Sequence, residues 1–206
     1  MIIAPDQPEA ASEDEVFQAV VTKVFDGDGF LAKLWNPYAH VWIERVPFRF
    51  AFIDAPEMEQ PGGPEARDVL AGLILGKSLR LDPIGKESTG YKPIDPYRRV
   101  LCMGYFTDEL APGRVDYFLQ GVCGSGTAKK ARLVTRNIEL EMIVNGWAWV
   151  VQQYAFERET EYFEAQESAR RARRGLWATN NPEAPWKFKA RQRRRSNASS
   201  SQTPLL

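Results

Sequence analysis

The sequence predicts an α+β fold: a small closed β-barrel of about five strands, about three helices and disordered termini. Three observations lead there. From Val16 onward the chain reads as short β-like runs separated by turn residues. After the third of these the apolar period switches once to helical spacing. Two more strand-like runs and then two helical stretches follow. A barrel of the oligonucleotide/oligosaccharide-binding (OB-fold) type suits that order, because closing the sheet removes exposed strand edges.

Each element has its own signal. Residues 1–14, rich in Ala, Pro and acids, read as disordered. "VFQAVVTKVF" reads as a strand, "DGDG" as a turn and "FLAKLW" as the returning strand. After the loop "NPYAH", the run "VWIERVPFRFAFI" is long enough for one bent strand or two short ones. In "GPEARDVLAGLILG" the residues Val69, Leu70, Leu73 and Ile74 recur at helical spacing, with Gly76 as the stop. "KSLRLDPI" and "RRVLCMGYF" read as strands, and the intervening "GKESTGYKPIDPY" as a loop too polar for a core. Residues 107–136 are the least legible; "VDYFLQGV" suits an added strand and "CGSGTAKKAR" a basic loop. "NIELEMIVNG" places Ile138, Leu140, Ile143 and Val144 on a short helix ended by Gly146. The last helical stretch aligns Tyr162, Ala165, Ala169 and Ala172, with acids early and arginines late, as the helix dipole favours. One domain is therefore expected over 15–178, followed by a basic, Ser-rich tail over 179–206.

Composition narrows the function classes. The chain has 206 residues and 44% hydrophobic content, enough for one substantial core. Its 27 basic and 27 acidic residues cancel, but their placement does not: residues 1–22 carry only acids before Lys23, and Lys187, Lys189, Arg191, Arg193, Arg194 and Arg195 crowd the end. That tail reads either as a polyanion contact with salt-sensitive binding or as a solubilising segment. Two cysteines form no disulfide framework or zinc motif, and the single histidine, His40, argues against a Ser-His or Cys-His nucleophile. His40 itself reads as a surface loop residue. No signal peptide or membrane-spanning run is visible, so an intracellular, monomeric protein is expected, with secretion the other reading.

The chemistry concentrates in "RFAFIDAPE" (Arg49, Asp54, Glu57), "DGDG" (Asp26, Asp28) and "DPYRR" (Asp95, Tyr97, Arg99). Carboxylates of this kind are hard oxygen donors suited to Ca²⁺ or Mg²⁺. Along a regular strand Arg49 and Asp54 fall on opposite faces, so a bend or bulge is needed to bring them together. Taken singly, "DGDG" is an ordinary turn and Asp54 an ordinary cap.

Taken in order, these motifs, with the "N…VNGWAWV" helix end and the closing "AR…GLW", resemble the staphylococcal nuclease (thermonuclease) family over most of the chain, from about Val16 to Trp177. The resemblance implies an OB-like barrel that hydrolyses phosphodiester bonds in DNA, RNA or both with Ca²⁺, with Mg²⁺ or Mn²⁺ as substitutes. Asp28, Asp54 and the Ala55 carbonyl would hold the metal, with Asp26 supporting from nearby. Glu57 would direct the attacking water, Arg49 and Arg99 would grip the phosphate, and Tyr97 would lie beside the nucleotide. Trp147 and Trp149 read as packing residues. The sequence departs from the family pattern at Gly29, where Thr is usual, at Arg98, where Gly is usual, at Pro96, and at Glu139, which takes the register of the motif asparagine while Asn137 lies two residues earlier. The rival reading is a catalytically inactive module that keeps the fold and binds nucleic acid or protein; no protein partner is implied.

Overall fold

The computed structural model describes residues 17–36, 38–84, 93–110, 132–152 and 156–200; the acidic segment 1–14 and most of the 107–136 stretch, including "VDYFLQGV", lie outside them. Strands β1 (Gln18–Val24), β2 (Gly29–Asn36) and β3 (Val41–Phe50) form an antiparallel meander. β1 also pairs with β5 (Ser78–Pro83), which pairs with β6 (Val100–Leu110). A parallel ladder between β3 and β6, Phe48 to Val100 through Phe50 to Cys102, then closes a five-stranded barrel. The expected barrel is therefore present, and closure leaves none of its five strands with a free edge over the paired stretch.

Register explains the interior. Phe48 and Phe50 alternate with Arg49, and the two rings flank Phe30 at centroid distances of 5.3 and 5.1 Å in the core. Helix α1 (Gly63–Ile74) buries Ala66, Leu70 and Ile74 against the barrel and is followed by Gly76 at φ 75°. Helix α2 (Ile138–Val144), capped by the Asn137 side chain, is buried on nearly every side. Helix α3 (Glu159–Arg171) presents Tyr162 and Ala169 to the interior. His40 is exposed, and Trp149 packs edge-on against Trp177 in a second small core.

Two features go beyond the sequence reading, and a third decides between its alternatives. Strand β7 (Arg132–Asn137) extends the sheet beside β6 and runs directly into α2. The "FRFAFID" run is two strands: β3 ends at Phe50, and a separate β4 (Ile53–Asp54) pairs with β8 (Trp149–Val150). Finally, within the expected tail, Pro185–Ser200 forms a fourth helix, α4. Its first residue is a proline, pre-set for helix entry, and Ala184 and Phe188 bury themselves one turn apart.

Candidate active site

The break between β3 and β4 resolves the facing problem of Arg49 and Asp54. At the break the Ala51 amide donates to the Cys102 carbonyl (3.1 Å), and the Phe52 amide donates to the Glu139 carboxylate (2.9 Å). The chain thus leaves one ladder for another, and the side-chain alternation is reset. As a result, Arg49 Nη2 donates to Asp54 Oδ1 at 2.9 Å and to Asp28 Oδ2 at 3.1 Å. Asp28 comes from the β1–β2 turn, held to the strand by the Phe50 amide donating to the Asp28 carbonyl (2.9 Å). Its Oδ2 also accepts the Ala55 amide at 3.2 Å.

Glu139 is fully buried, and burial pushes its carboxyl up to about 7. Besides Phe52 it accepts the Tyr162 hydroxyl at 3.1 Å. The residue standing in the asparagine register thus fastens the bend that builds the site. Asn137, two residues earlier, caps α2 by accepting the Leu140 amide at 2.9 Å.

The remaining residues converge on an open cleft of about 530 Å³, lined among others by Asp26, Asp28, Arg49, Glu57, Tyr97 and Arg99. Asp26 accepts the Asp28 amide at 3.1 Å; burial, reinforced by the charge of Asp28, pushes its carboxyl up to about 6. Asp54 is likewise raised, by burial first and then by Asp28. Asp28 acts on Arg49 in the opposite sense, favouring its charged form and outweighing burial. Glu57 stands in a tight turn whose carbonyl accepts the Gln60 amide (2.8 Å). A side chain at Gly63 would strike that same carbonyl at 2.0 Å, so only glycine lets α1 start so close to the turn.

Arg99 is positioned by a residue to which the sequence reading gave no role. Asp95 accepts the Arg99 amide (2.9 Å), the Arg99 Nε (2.7 Å) and the Tyr97 amide (2.9 Å). Burial works against its charge, yet the bonds and charge of Arg99 hold the Asp95 carboxyl below its ordinary value. Arg99 lies over the exposed Tyr97 ring at 5.5 Å. Arg98 adopts φ 65°, the left-handed conformation a glycine there would supply, so the loop keeps its bend with an arginine in it. At Gly29 an added Cβ would stand 2.9 Å from Asp26 Oδ1 and 3.4 Å from Arg99 Nη1, so the glycine makes room for both side chains.

Sequence reasoning missed Lys189, which reaches the cleft from α4. Its ammonium stands 3.0 Å from Asp54 Oδ1 and 2.8 Å from Glu57 Oε1. The signal was the Ala184–Phe188 spacing behind a helix-entry proline, masked by the density of arginines.

Asp28 and Asp54, with the Ala55 backbone next to them, form a hard-oxygen set that fits a small divalent cation retaining several waters. No larger cluster exists: among the described residues no three His, Cys, Asp or Glu side chains stand together as a metal cage. The pull of the aspartate pair on positive charge is visible directly, since Arg49 and Lys189 both reach the same Asp54 oxygen. Among the described residues no helix is long and apolar enough to cross a membrane.

Residues 47–179 match the family model described as staphylococcal nuclease homologue. An uncharacterized endonuclease of Haemophilus influenzae is 31% identical over 173 residues, 84% of this chain and 73% of that protein. The micrococcal nuclease of Shigella flexneri is 26% identical over 183 residues, covering 88% and 85%. A probable staphylococcal-like nuclease of Oryza sativa subsp. japonica is 30% identical over 153 residues, 74% of this chain but 32% of the longer plant protein.

Proposed function

This chain belongs to the staphylococcal nuclease homologue family, and from that premise we propose that it is a Ca²⁺-dependent nuclease cleaving phosphodiester bonds in DNA, RNA or both. The observation that carries the reading is the bridge of Arg49 between Asp28 and Asp54 at a cleft that also holds Glu57, Tyr97 and Arg99. It joins a hard-oxygen pair, a carboxylate base and two guanidiniums within reach of one phosphate.

A bound phosphodiester is anionic, and its hydrolysis gathers more charge on the phosphoryl oxygens. Arg99, fixed by Asp95, presents guanidinium donors to those oxygens, and Arg49 adds the N–H groups other than the Nη2 held by Asp28 and Asp54. A cation held by Asp28, Asp54 and the Ala55 carbonyl, Ca²⁺ or in its place Mg²⁺ or Mn²⁺, would neutralise phosphate charge and acidify nearby water. Glu57 orients an attacking water and takes its proton as the water oxygen bonds to phosphorus and the P–O bond to the leaving sugar oxygen breaks, that oxygen taking a proton from solvent water. Tyr97, exposed at the rim, offers a face for the nucleotide. Asp26 supports Asp28 through its backbone amide. The basic face of α4, where Lys187, Arg191, Arg194 and Arg195 line a second hollow, extends the positive surface for a polyanion.

The test is incubation of the purified protein with single- and double-stranded DNA and RNA in Ca²⁺, Mg²⁺, Mn²⁺ or EDTA. Cleavage with a divalent ion that EDTA stops is the expected outcome. Cleavage in EDTA would overturn the metal role, and intact substrates in every buffer would leave a nucleic-acid-binding or protein-binding module.

A further inference from the structure

Lys189 belongs to no strand or turn of the barrel, yet it makes two ion pairs in the middle of the cleft. One ammonium bridges Asp54 Oδ1 at 3.0 Å and Glu57 Oε1 at 2.8 Å. Those two carboxylates are the ones proposed to hold metal and to direct water. The contact is also built, as the segment carrying it shows. Phe188 and Ala184 are buried, and the Gln60 side-chain Nε2 donates to the Glu183 carbonyl, tying the start of α4 to the turn that carries Glu57. Glu183 in turn takes both Arg191 Nε (3.1 Å) and Nη2 (2.8 Å), while that guanidinium covers the Phe188 ring at 4.9 Å.

We propose that Lys189 is a tethered cation that competes with the divalent metal for Asp54 and with water for Glu57, so that α4 sets the metal level at which the site becomes active. The inference rests on the metal reading given above. A metal on Asp54 Oδ1 and an ammonium on the same oxygen would be close like charges, repelling strongly in a partly buried cleft. Metal uptake therefore requires the ammonium to leave. Because α4 is anchored, the displaced group stays local at a high effective concentration and returns when metal is lost. Arg49 also touches Asp54, but it sits on β3 opposite Gly29 and is part of the barrel itself. Lys189 is the part of this charge balance that a separate C-terminal element supplies.

The test is calorimetric titration of the full chain with Ca²⁺ and with Mn²⁺, for wild type, Lys189→Met and Lys189→Arg. Methionine keeps the aliphatic stem and removes the charge, and it should tighten the Kd about tenfold, the scale of one partly exposed ion pair. Arginine keeps the charge and should stay within about threefold of wild type by the same electrostatic scale. Phe188→Ala, which loosens the anchor and leaves Lys189 in place, should move the Kd in the same direction as methionine. Unchanged or weaker binding by Lys189→Met, with wild type binding normally, overturns the competition alone. If neither wild type nor variants take up either ion, the metal reading fails and the competition fails with it.

Discussion

Two acidic groups border the same two-residue break in the β3–β4 chain, and their surroundings differ in kind. On the inner side Glu139 accepts from neutral donors, the Phe52 amide and the Tyr162 hydroxyl, and among the described residues no salt bridge reaches it. On the outer side Asp28, Asp54 and Glu57 meet Arg49 and Lys189. The inner acid is held by hydrogen bonding; the outer acids are held by ion pairs to cationic side chains. On the proposed function, the carboxylate fastened by neutral donors serves the backbone, and those balanced by cationic side chains serve chemistry.

The sharpest way to break the comparison is to neutralise one acid on each side. Asp54→Asn and Glu57→Ala should each cut turnover by about 10²–10⁴-fold, since each removes a group proposed to act on the reacting atoms. Asp54→Asn should also abolish the thermal stabilisation given by Ca²⁺, while the midpoint in EDTA moves by only a few degrees. Arg49→Lys and Arg99→Lys should cost about 10²-fold, because an ammonium cannot reproduce the fork. Glu139→Gln, by contrast, should leave kcat within a few-fold. Should it instead silence the enzyme as fully as Asp54→Asn, the division between the two sides fails.

The inner acid makes a pH prediction with a definite sign. Glu139 titrates near 7 in the fold, against an ordinary carboxylate value of 4.5. Between those values the folded state binds more protons than the unfolded one, so this group's contribution is greatest below about 4.5 and is lost as pH rises through 7. Ionising it costs on the order of 3 kcal/mol. Glutamine keeps an acceptor for Phe52 and cannot ionise, so Glu139→Gln should gain stability relative to wild type across pH 5–8, read by urea midpoints. A difference that stays flat with pH would contradict the buried, neutral-poised state. Glu139→Ala leaves the Phe52 amide without its partner and should destabilise by about 2–4 kcal/mol at low pH.

What the sequence revealed and concealed follows the same division. The barrel strands, three of the helices and the cleft residues Asp26, Asp28, Arg49, Glu57, Tyr97 and Arg99 were legible because each sits in a local motif with its own period or turn chemistry. Arg49 and Asp54 were legible as candidates but not as neighbours. The break that joins them depends on Glu139, 87 residues from Phe52, and no local pattern records so distant a contact. Strand β7 was hidden because among the described residues it pairs along β6 alone and carries no apolar alternation of its own. Helix α4 was hidden by composition: six basic residues obscured the two apolar anchors, Ala184 and Phe188, that dock it. Asp95 was in view within "DPYRR" but without a role of its own. Its three bonds to Tyr97 and Arg99 emerge once the loop is closed.

The smallest expected effect isolates backbone from charge. Arg98 holds φ 65°, while its amide donates to the Asp95 carbonyl at 3.0 Å and its neighbour Arg99 reaches the cleft. A non-glycine residue in the left-handed region carries a local cost of about 1 kcal/mol. Arg98→Gly removes that cost but adds freedom to the unfolded chain, and the two terms oppose each other. We expect a net gain of about 0.5 kcal/mol in chemical denaturation, with kcat within twofold of wild type. Because the loop already bends as glycine would bend it, Arg99 should keep its bonds to Asp95. A tenfold loss of kcat in Arg98→Gly would show that the Arg98 side chain, and not only its backbone, takes part in gripping the substrate, and the outer charge set would then have to include it.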